Sequence, residues 1–476
     1  MKTYFIVITL LLSSISGYST NLKLSKPVLY LENGKATAVF NLSWDNSWNN
    51  KKNHDAVWLF FKSVPKEGQA KHINVLPAGH TKIAGFSSDP VDIGFKVAKD
   101  SIGIFVFPKT TYRGTISFTL KIALDGLTFK TIDNRNSSFK VFGIEMVHIP
   151  KGSFVLGDPE KTAQEYGSIY KPGSTKNKVL LPKLLSEASA LEVGIHGDIF
   201  YNKKEGYEGD QTGIIPKSFP KGVSDYYIMK YEITEGQYAA FLNTLGREWQ
   251  EARVITREKN YRSEGGSIVY RENVFHTPYE EKPCKFMSWD DAMAFADWAG
   301  LRPMTEFEFT KASRGIRKPT AGAFPWGTNE KFAVQRLPDE NGVLTMNNGW
   351  SEERLSEETL VYFAASYYWV MDLSGSMWER VVSIGHPAGR NFTGSHGDGN
   401  LSNKGMATNP DWPLGNTEAG GVGFRGGGFY GYNREYHQYN PFSPIAYRPY
   451  GGWHGTNRNK AYGGRLVRSN HLSKND

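Results

Sequence analysis

A single cysteine, Cys284, stands in 476 residues. The chain therefore closes no disulfide within itself, and any chemistry that needs two of its own thiols is excluded. Beside Pro283 and Phe286, this thiol is expected to be a buried small hydrophobe. Long apolar runs are missing too. The run Phe5 to Leu12 is too short to span a bilayer, and no other stretch qualifies. Met1-Lys2 ahead of that run and small polar residues from Ser13 to Thr20 behind it predict an export signal over 1–20, cut near Ser19. No Cys follows it, which argues against a bacterial-type lipid anchor. A P-loop, a Gly-x-Ser-x-Gly elbow, zinc-ligand spacing and a dinucleotide fingerprint are also absent.

What is plentiful is glycine, at 50 residues, and aromatic side chains, at 14%. That mixture predicts a folded, loop-rich chain with many strands and turns, and the length predicts two domains. The formal charge of +8 is unevenly placed: residues 421–476 hold six Arg and two Lys against Glu435 and Asp476.

Residues 21–140 read as all-β. Apolar or alternating runs at Ala36–Trp44, Ala56–Phe61, Ile93–Val97, Ile102–Phe107 and Gly114–Ile122 are separated by Asn, Asp, Gly and Pro. About seven short strands of this kind predict an immunoglobulin-like β-sandwich. A second region, 141–470, opens on a strand, a Lys151-Gly152 turn and another strand. Residues 159–215 are polar and irregular and read as an insertion, partly helical around Leu180–Leu191. Three helix starts follow. Thr234 with Gln237 and Thr305 with Glu308 match the capping box, and Ser288 with Asp291 is a variant of it. The middle helix places Ala292, Phe295, Ala296 and Ala299 on one face and stops at Gly300. Beyond about Gly315, helical periodicity is scarce. The fold class predicted overall is α+β.

The stretch Val370 to Glu379 carries the clearest chemistry. Asp372, the carbonyls of Gly375 and Met377, and Glu379 offer oxygen donors at n, n+3, n+5 and n+7. Hard oxygen ligands on a short loop suit calcium. Two readings compete for this loop. In one, Asp372-Leu373-Ser374-Gly375-Ser376 matches the Asp-x-Ser-x-Ser metal-dependent adhesion signature of von Willebrand A domains. That domain needs a parallel sheet with crossover helices downstream, and the 104 residues after Asp372 are Gly- and Tyr-rich without helical periodicity.

In the other, the chain resembles the formylglycine-generating enzyme (sulfatase-modifying factor) family, whose fold is similar to an elaborated C-type lectin. The landmarks occur in order: Met146 to Phe154 with Gly157, Tyr227 to Thr234, Ser288 to Ala292, Leu301 to Glu308 and Phe324-Pro325-Trp326-Gly327. Then come Asp372-x-x-Gly375-x-x-Trp378-Glu379, Arg425 to Phe429 and Gly463 to Arg468. The resemblance covers about 142–469. It places calcium on Asp372, Gly375, Met377 and Glu379. It also implies a pair of copper-binding thiols in the loop after Arg425-Gly426-Gly427, as soft sulfur holds Cu(I). Here Gly431 and the neighbourhood of Tyr436 fall at those positions, without sulfur, so no copper and no formylglycine-generating activity are expected. A related branch holds iron with histidines of a helical domain. His54, His72 and His80 lie in strand-like sequence without helical ligand spacing, and of the rest only His437 and His454 fall near the expected pocket.

A basic, aromatic surface is expected over 425–462. Arg425, Tyr430, Tyr432, Arg434, Tyr436, His437, Arg448, Trp453 and Arg458 are its candidate partner-binding residues, suited to a peptide or glycan by stacking and charged hydrogen bonds. Export argues against nucleic acid. The reading implied is an exported, non-catalytic relative that binds envelope or secreted proteins, or glycans, in the periplasm, at the outer membrane or on the cell surface. Such relatives occur in the type IX secretion and gliding machinery of Bacteroidota. The alternative is an oxidoreductase or protein-maturation factor with a different metal centre.

Overall fold

The computed structural model describes residues 22–32, 35–85, 91–126, 137–160, 163, 166–172, 182–203, 206–255, 266–330, 336–338, 344–346, 354–414, 420–428, 443–453 and 458–470. Strands outnumber helices among them, and apart from helical Ala163 the helices lie downstream of residue 230, an α+β arrangement. None of these helices is long and apolar enough to cross a membrane.

Two antiparallel layers form the N-terminal part. One sheet has five strands, in the order Lys23–Leu24, Lys35–Asn49, Tyr112–Leu124 and Thr81–Gly85, with Val28–Glu32 also on Lys35–Asn49. Along Lys35–Asn49 the side chains of Ala36, Ala38, Phe40, Leu42 and Trp44 are buried at every second position, as the strand period requires. They meet Val57, Leu59, Phe61, Ile104 and Val106 of the second layer in one core.

That second layer continues into the rest of the molecule. Its eight strands run Arg302–Pro303, Leu466–Ser469, Tyr226–Met229, Ser137–Ile149, Asp55–Pro65, Ile104–Pro108 and Ile93–Val97, with Lys71–Ile73 also on Asp55–Pro65. Ser137–Ile149 is the connecting strand. Its residues 137–147 pair with Pro65 back to Asp55, and Met146–Ile149 pair with Met229 back to Tyr226. The boundary expected at residue 140 falls inside this strand. The same layout explains why Ala56–Phe61 reads as an unbroken apolar run. Val57, Leu59 and Phe61 face the N-terminal core, whereas Ala56, Trp58 and Phe60 face the downstream core, and a strand covered on both faces has no polar side.

All three helix starts carry full capping boxes, the Ser288–Asp291 variant included. Each cap satisfies backbone N–H groups that would otherwise be orphaned, worth about 1 kcal/mol. The helix Trp289–Trp298 ends at Gly300, whose φ of +67° suits a residue without a Cβ.

The helix expected around Leu180–Leu191 is not formed over its described part, 182–191. Lys183–Leu185 pairs with Phe154–Leu156, and Leu191–Val193 pairs with Gly213–Ile215. The period is two, not 3.6: Leu191 and Val193 are buried and Glu192 exposed. The region is no appendage, since Ile169, Leu185, Leu191, Val193, Ile199 and Tyr201 join the downstream core.

Candidate functional site

The loop from Val370 to Glu379 is tightly wound. Asp372 and Ser376 have φ of +59° and +56°, and Gly375 has +94°. Asp tolerates this left-handed region better than most residues because its short side chain bonds locally. Fixed contacts hold the rest. The Gly375 amide donates to the Gly426 carbonyl at 2.9 Å, and the Trp378 amide to that of Ala461 at 2.7 Å. Glu232, from the segment before the first capped helix, accepts from the Met377 amide at 2.9 Å and from Ser376 Oγ at 2.6 Å.

Beneath the loop lies Arg465. Its Nε donates to Glu379 Oε1 at 2.8 Å, and its terminal nitrogens donate to the carbonyls of Met229, Lys230 and Met371 at 2.8–3.0 Å. Arg465 and Glu379 are both fully buried. Burial pushes the Glu379 carboxyl up to about 7, and the charge of Asp372 adds to this while Arg465 opposes it. Burial and the charge of Glu379 push Glu232 well above the usual carboxylate range. Three acids are thus crowded around one guanidinium.

Glu379 Oε2 is buried and has no hydrogen-bond partner. An orphaned carboxylate oxygen close enough to a second carboxylate, that of Asp372, to feel its charge fits a hard divalent cation. No three His, Cys, Asp or Glu side chains among the described residues are grouped to hold one metal ion. Calcium bound here would therefore depend on the carbonyls of Gly375 and Met377 as well as Asp372 and Glu379. The adhesion-site reading fails on topology. After the loop, Trp378–Val382 pairs antiparallel with Val422–Arg425, and its parallel partners among the described residues are the two-residue strand Tyr462–Gly463 and a single bridge to Thr305. The one helix downstream among the described residues is the four-residue Pro387–Arg390.

Two arginines expected on a partner-facing surface are buried instead. Arg448 has no exposed side-chain surface and donates from Nε to Glu306 Oε2 at 2.7 Å. It also reaches the carbonyls of Gly167 and Glu208 and lies over the Tyr201 ring at 4.3 Å. Arg425 donates to the Tyr447 carbonyl at 2.9 Å and to Thr310 Oγ1 at 3.1 Å. Both guanidiniums compensate the buried Glu306, and a buried charge needs such partners. Arg458 is half-buried and forks onto Asp291 at 2.7 and 2.8 Å. Asp291 also meets Arg253 at 3.2 Å, so Arg458 ties the C-terminal segment to a helix cap.

Trp453 remains half-buried and sits in a group of aromatic rings. It meets Tyr207 edge-on at 4.2 Å and Tyr450 at 6.0 Å, and Tyr450 meets Trp378 at 5.4 Å. All four rings retain some exposure. Tyr207 belongs to the region read as an insertion, and no local pattern around it marks its place here. Tyr430, Tyr432, Arg434, Tyr436 and His437 lie outside the described residues, as do Gly431 and His454. Cys284 is buried in the downstream core, with its thiol pushed well up by burial.

Glu232, Glu306 and Arg465 were not singled out from sequence for any role. A buried ion pair leaves no local mark in sequence when its members lie as far apart as Glu379 and Arg465, 86 residues, or Glu306 and Arg448, 142 residues.

Residues 189–470 match the family model of the sulfatase-modifying factor enzyme 1-like domain. Among curated proteins, the formylglycine-generating enzyme of Thermomonospora curvata is 28% identical over 116 residues, 24% of this chain and 35% of that protein. The inactive C-alpha-formylglycine-generating enzyme 2 of Mus musculus is 30% identical over 113 residues, 24% and 35% of the two chains. Hercynine oxygenase of Mycobacterium tuberculosis is 30% identical over 122 residues, 23% and 28%. The chain spans about a third of the length of these relatives.

Proposed function

The chain belongs to the sulfatase-modifying factor enzyme 1-like family, and from that premise we propose that it is an exported, non-catalytic member that recognises partners in the cell envelope. The observation that carries this reading is the state of its sulfur. The one cysteine, Cys284, is buried in the core with a raised thiol pKa. A buried thiol of that kind is a poor metal ligand, and a two-thiolate copper centre needs a second that the chain lacks. The mouse relative that is named inactive makes a non-reacting member of the family reasonable.

Recognition is assigned to the aromatic group of Trp378, Tyr450, Trp453 and Tyr207. Rings with one face packed and one edge open suit a peptide or a glycan. The N-terminal layers act as an immunoglobulin-like docking unit, supported by their two facing antiparallel sheets. Calcium held by Asp372, Gly375, Met377 and Glu379 stiffens the loop beneath the aromatic group. A place in the type IX secretion or gliding machinery is the finer form of this proposal.

The likeness to hercynine oxygenase favours a second reading, an oxidoreductase or maturation factor with another metal centre. One experiment separates the two. The purified protein is incubated with a sulfatase-type cysteine peptide, oxygen, and copper or iron, and followed by mass spectrometry and oxygen electrode. The first reading expects unchanged peptide, no oxygen uptake and calcium as the only stoichiometric metal. Aldehyde formation, or oxygen uptake with bound iron or copper, would reject it.

A further inference from the structure

A cleft of about 400 Å³ opens between the turn at Lys96–Asp100 and the end of the last strand, with His396 beside it. Part of its lining is apolar, from Val97, Ala98 and Phe105. Phe105 is fixed by Tyr227, stacked at 3.9 Å, and by Trp58 at 4.7 Å. Rings braced in this way give a preformed apolar wall.

The polar lining offers more donors than acceptors. Three cations, Lys96, Lys99 and Arg468, stand against one acid, Asp100. That acid is already engaged: Arg468 reaches both of its oxygens, and the Ile102 amide donates to Oδ1 at 3.2 Å. Lys96 is half-buried and Lys99 exposed, and neither has a hydrogen bond or ion pair to a described residue. Burial holds the Lys96 ammonium below its usual range; Asp225 opposes this without touching it, and the charge of Lys99 adds to it. A partly desolvated charge with no counter-ion in contact is costly.

Two neutral donors add direction. The His396 side chain is 4% exposed, and its Nε2 accepts from the Ser469 amide at 2.9 Å. Burial keeps the ring neutral, so the proton sits on Nδ1. The acid that faces Nδ1 is Asp100, with Oδ2 at 3.9 Å, beyond hydrogen-bond reach. Ser469 Oγ accepts from Arg302 Nε at 3.0 Å and from Nη2 at 2.7 Å. Both of its lone pairs are thereby used, and its own proton is left to donate.

We propose that this cleft binds a small organic carboxylate with an apolar body. The carboxylate takes the donors that the fold leaves over, on Lys96, Lys99, His396 and Ser469. The body lies on Val97, Ala98 and Phe105. The apolar wall favours such a molecule over a bare inorganic ion, and a volume of about 400 Å³ lies at the small end of ligand sites. None of the lining residues belongs to the aromatic group of Trp378, Tyr450, Trp453 and Tyr207, so this site stands or falls apart from partner recognition there.

The test is calorimetric titration of the full chain with phenylpropionate, the neutral phenylpropanol, the cation phenylpropylamine, and acetate. Saturable binding of phenylpropionate is expected. The alcohol should bind about ten-fold more weakly for want of charge-assisted hydrogen bonds, and acetate about ten-fold more weakly for want of apolar contact. The amine should be silent. The variant K96M/K99M should weaken phenylpropionate about three- to ten-fold, in line with partly exposed ion pairs, and leave the alcohol unchanged. A98F should abolish binding by filling the cleft. Thermal melting of both variants checks that the fold is kept, and the comparison of ligands on the parent chain stands without them. Equal binding of the alcohol or of acetate, preference for the amine, indifference to both variants, or no saturation at millimolar phenylpropionate would each overturn the proposal.

Discussion

Arg468 lays its guanidinium over the Trp58 ring, 4.5 Å from the centroid. The two residues belong to opposite ends of the chain. Arg468 also reaches both oxygens of Asp100 and the Gly300 carbonyl, and Trp58 Nε1 donates to the Ala299 carbonyl at 2.9 Å. The end of the helix Trp289–Trp298 is thereby clamped to the N-terminal sheet.

Arg468→Ala should therefore destabilise the whole chain by about 3 kcal/mol, the low end for breaking a buried pair, because Asp100 is partly solvated. Urea denaturation read by both tryptophan fluorescence and circular dichroism checks this. A single shared transition is expected in the parent chain. A first transition confined to the N-terminal strands would contradict the clamp.

Calcium should raise the melting temperature, and a chelator should lower it, by mass action on the folded state. Asp372→Ala should lower stability and remove the response to calcium. Glu232→Gln keeps the carboxylate shape but loses one acceptor for the loop, and should weaken the calcium effect only in part. Identical melting curves with and without chelator in the parent would reject an ion at Glu379.

The acid limb of stability should be set by buried histidines. Burial lowers His54 from 6.5 to about 4, and His72 and His396 lie well below their usual value for the same reason. The Ser469 amide donates to His396 Nε2 at 2.9 Å, which requires that nitrogen to be bare. The folded state thus binds fewer protons than the unfolded one, and stability is lost as pH falls from about 6.5 towards 4. His54 alone contributes on the order of 3 kcal/mol over that range. Asp55 and Asp297 act with the opposite sign. Burial raises both to about 6, so their contribution is greatest at low pH and declines as pH rises from about 4 to 6. Melting temperatures of His54→Gln between pH 4 and 7 should show a flatter acid limb than the parent. An unchanged slope would mean that His54 is already protonated in the fold.

Trp453→Ala and Tyr207→Ala should each weaken capture of an envelope partner about ten-fold or more, as truncation of a central aromatic anchor does. Melting temperature should move little, since both rings are only half-buried. Pull-down from envelope fractions with parent and variant chains checks this. Equal recovery would move the recognition surface elsewhere.

Much of the scaffold could be read from neighbours in sequence. A capping box spans three residues, and strand alternation spans two, so Thr234, Ser288, Thr305 and the buried face of Ala36–Trp44 announce themselves. The candidate calcium loop is local too, since Asp372, Gly375, Met377 and Glu379 lie within eight positions. Long-range compensation is not local. Arg448 and Glu306 are 142 residues apart, and Met377 and Glu232 are 145 apart. From sequence, an arginine-rich, tyrosine-rich segment looks like an open surface. Folded, Arg425 and Arg448 turn inward because Glu306 is there to receive them. The Leu180–Leu191 segment misled for another reason: its leucines and alanines favour a helix, but Phe154–Leu156 offers a strand edge, and pairing overrode propensity.

The strand Ser137–Ile149 gives practical dissection of this molecule a hard limit. An excised fragment starting at residue 141 severs that strand in mid-run and discards Asp55–Pro65, on which eleven of its residues are laddered. The scar would bare Ile144 and Met146, now 2% and 0% exposed, along an unpaired edge. Such edges template aggregation. A fragment that keeps this strand must keep Asp55–Pro65 with it.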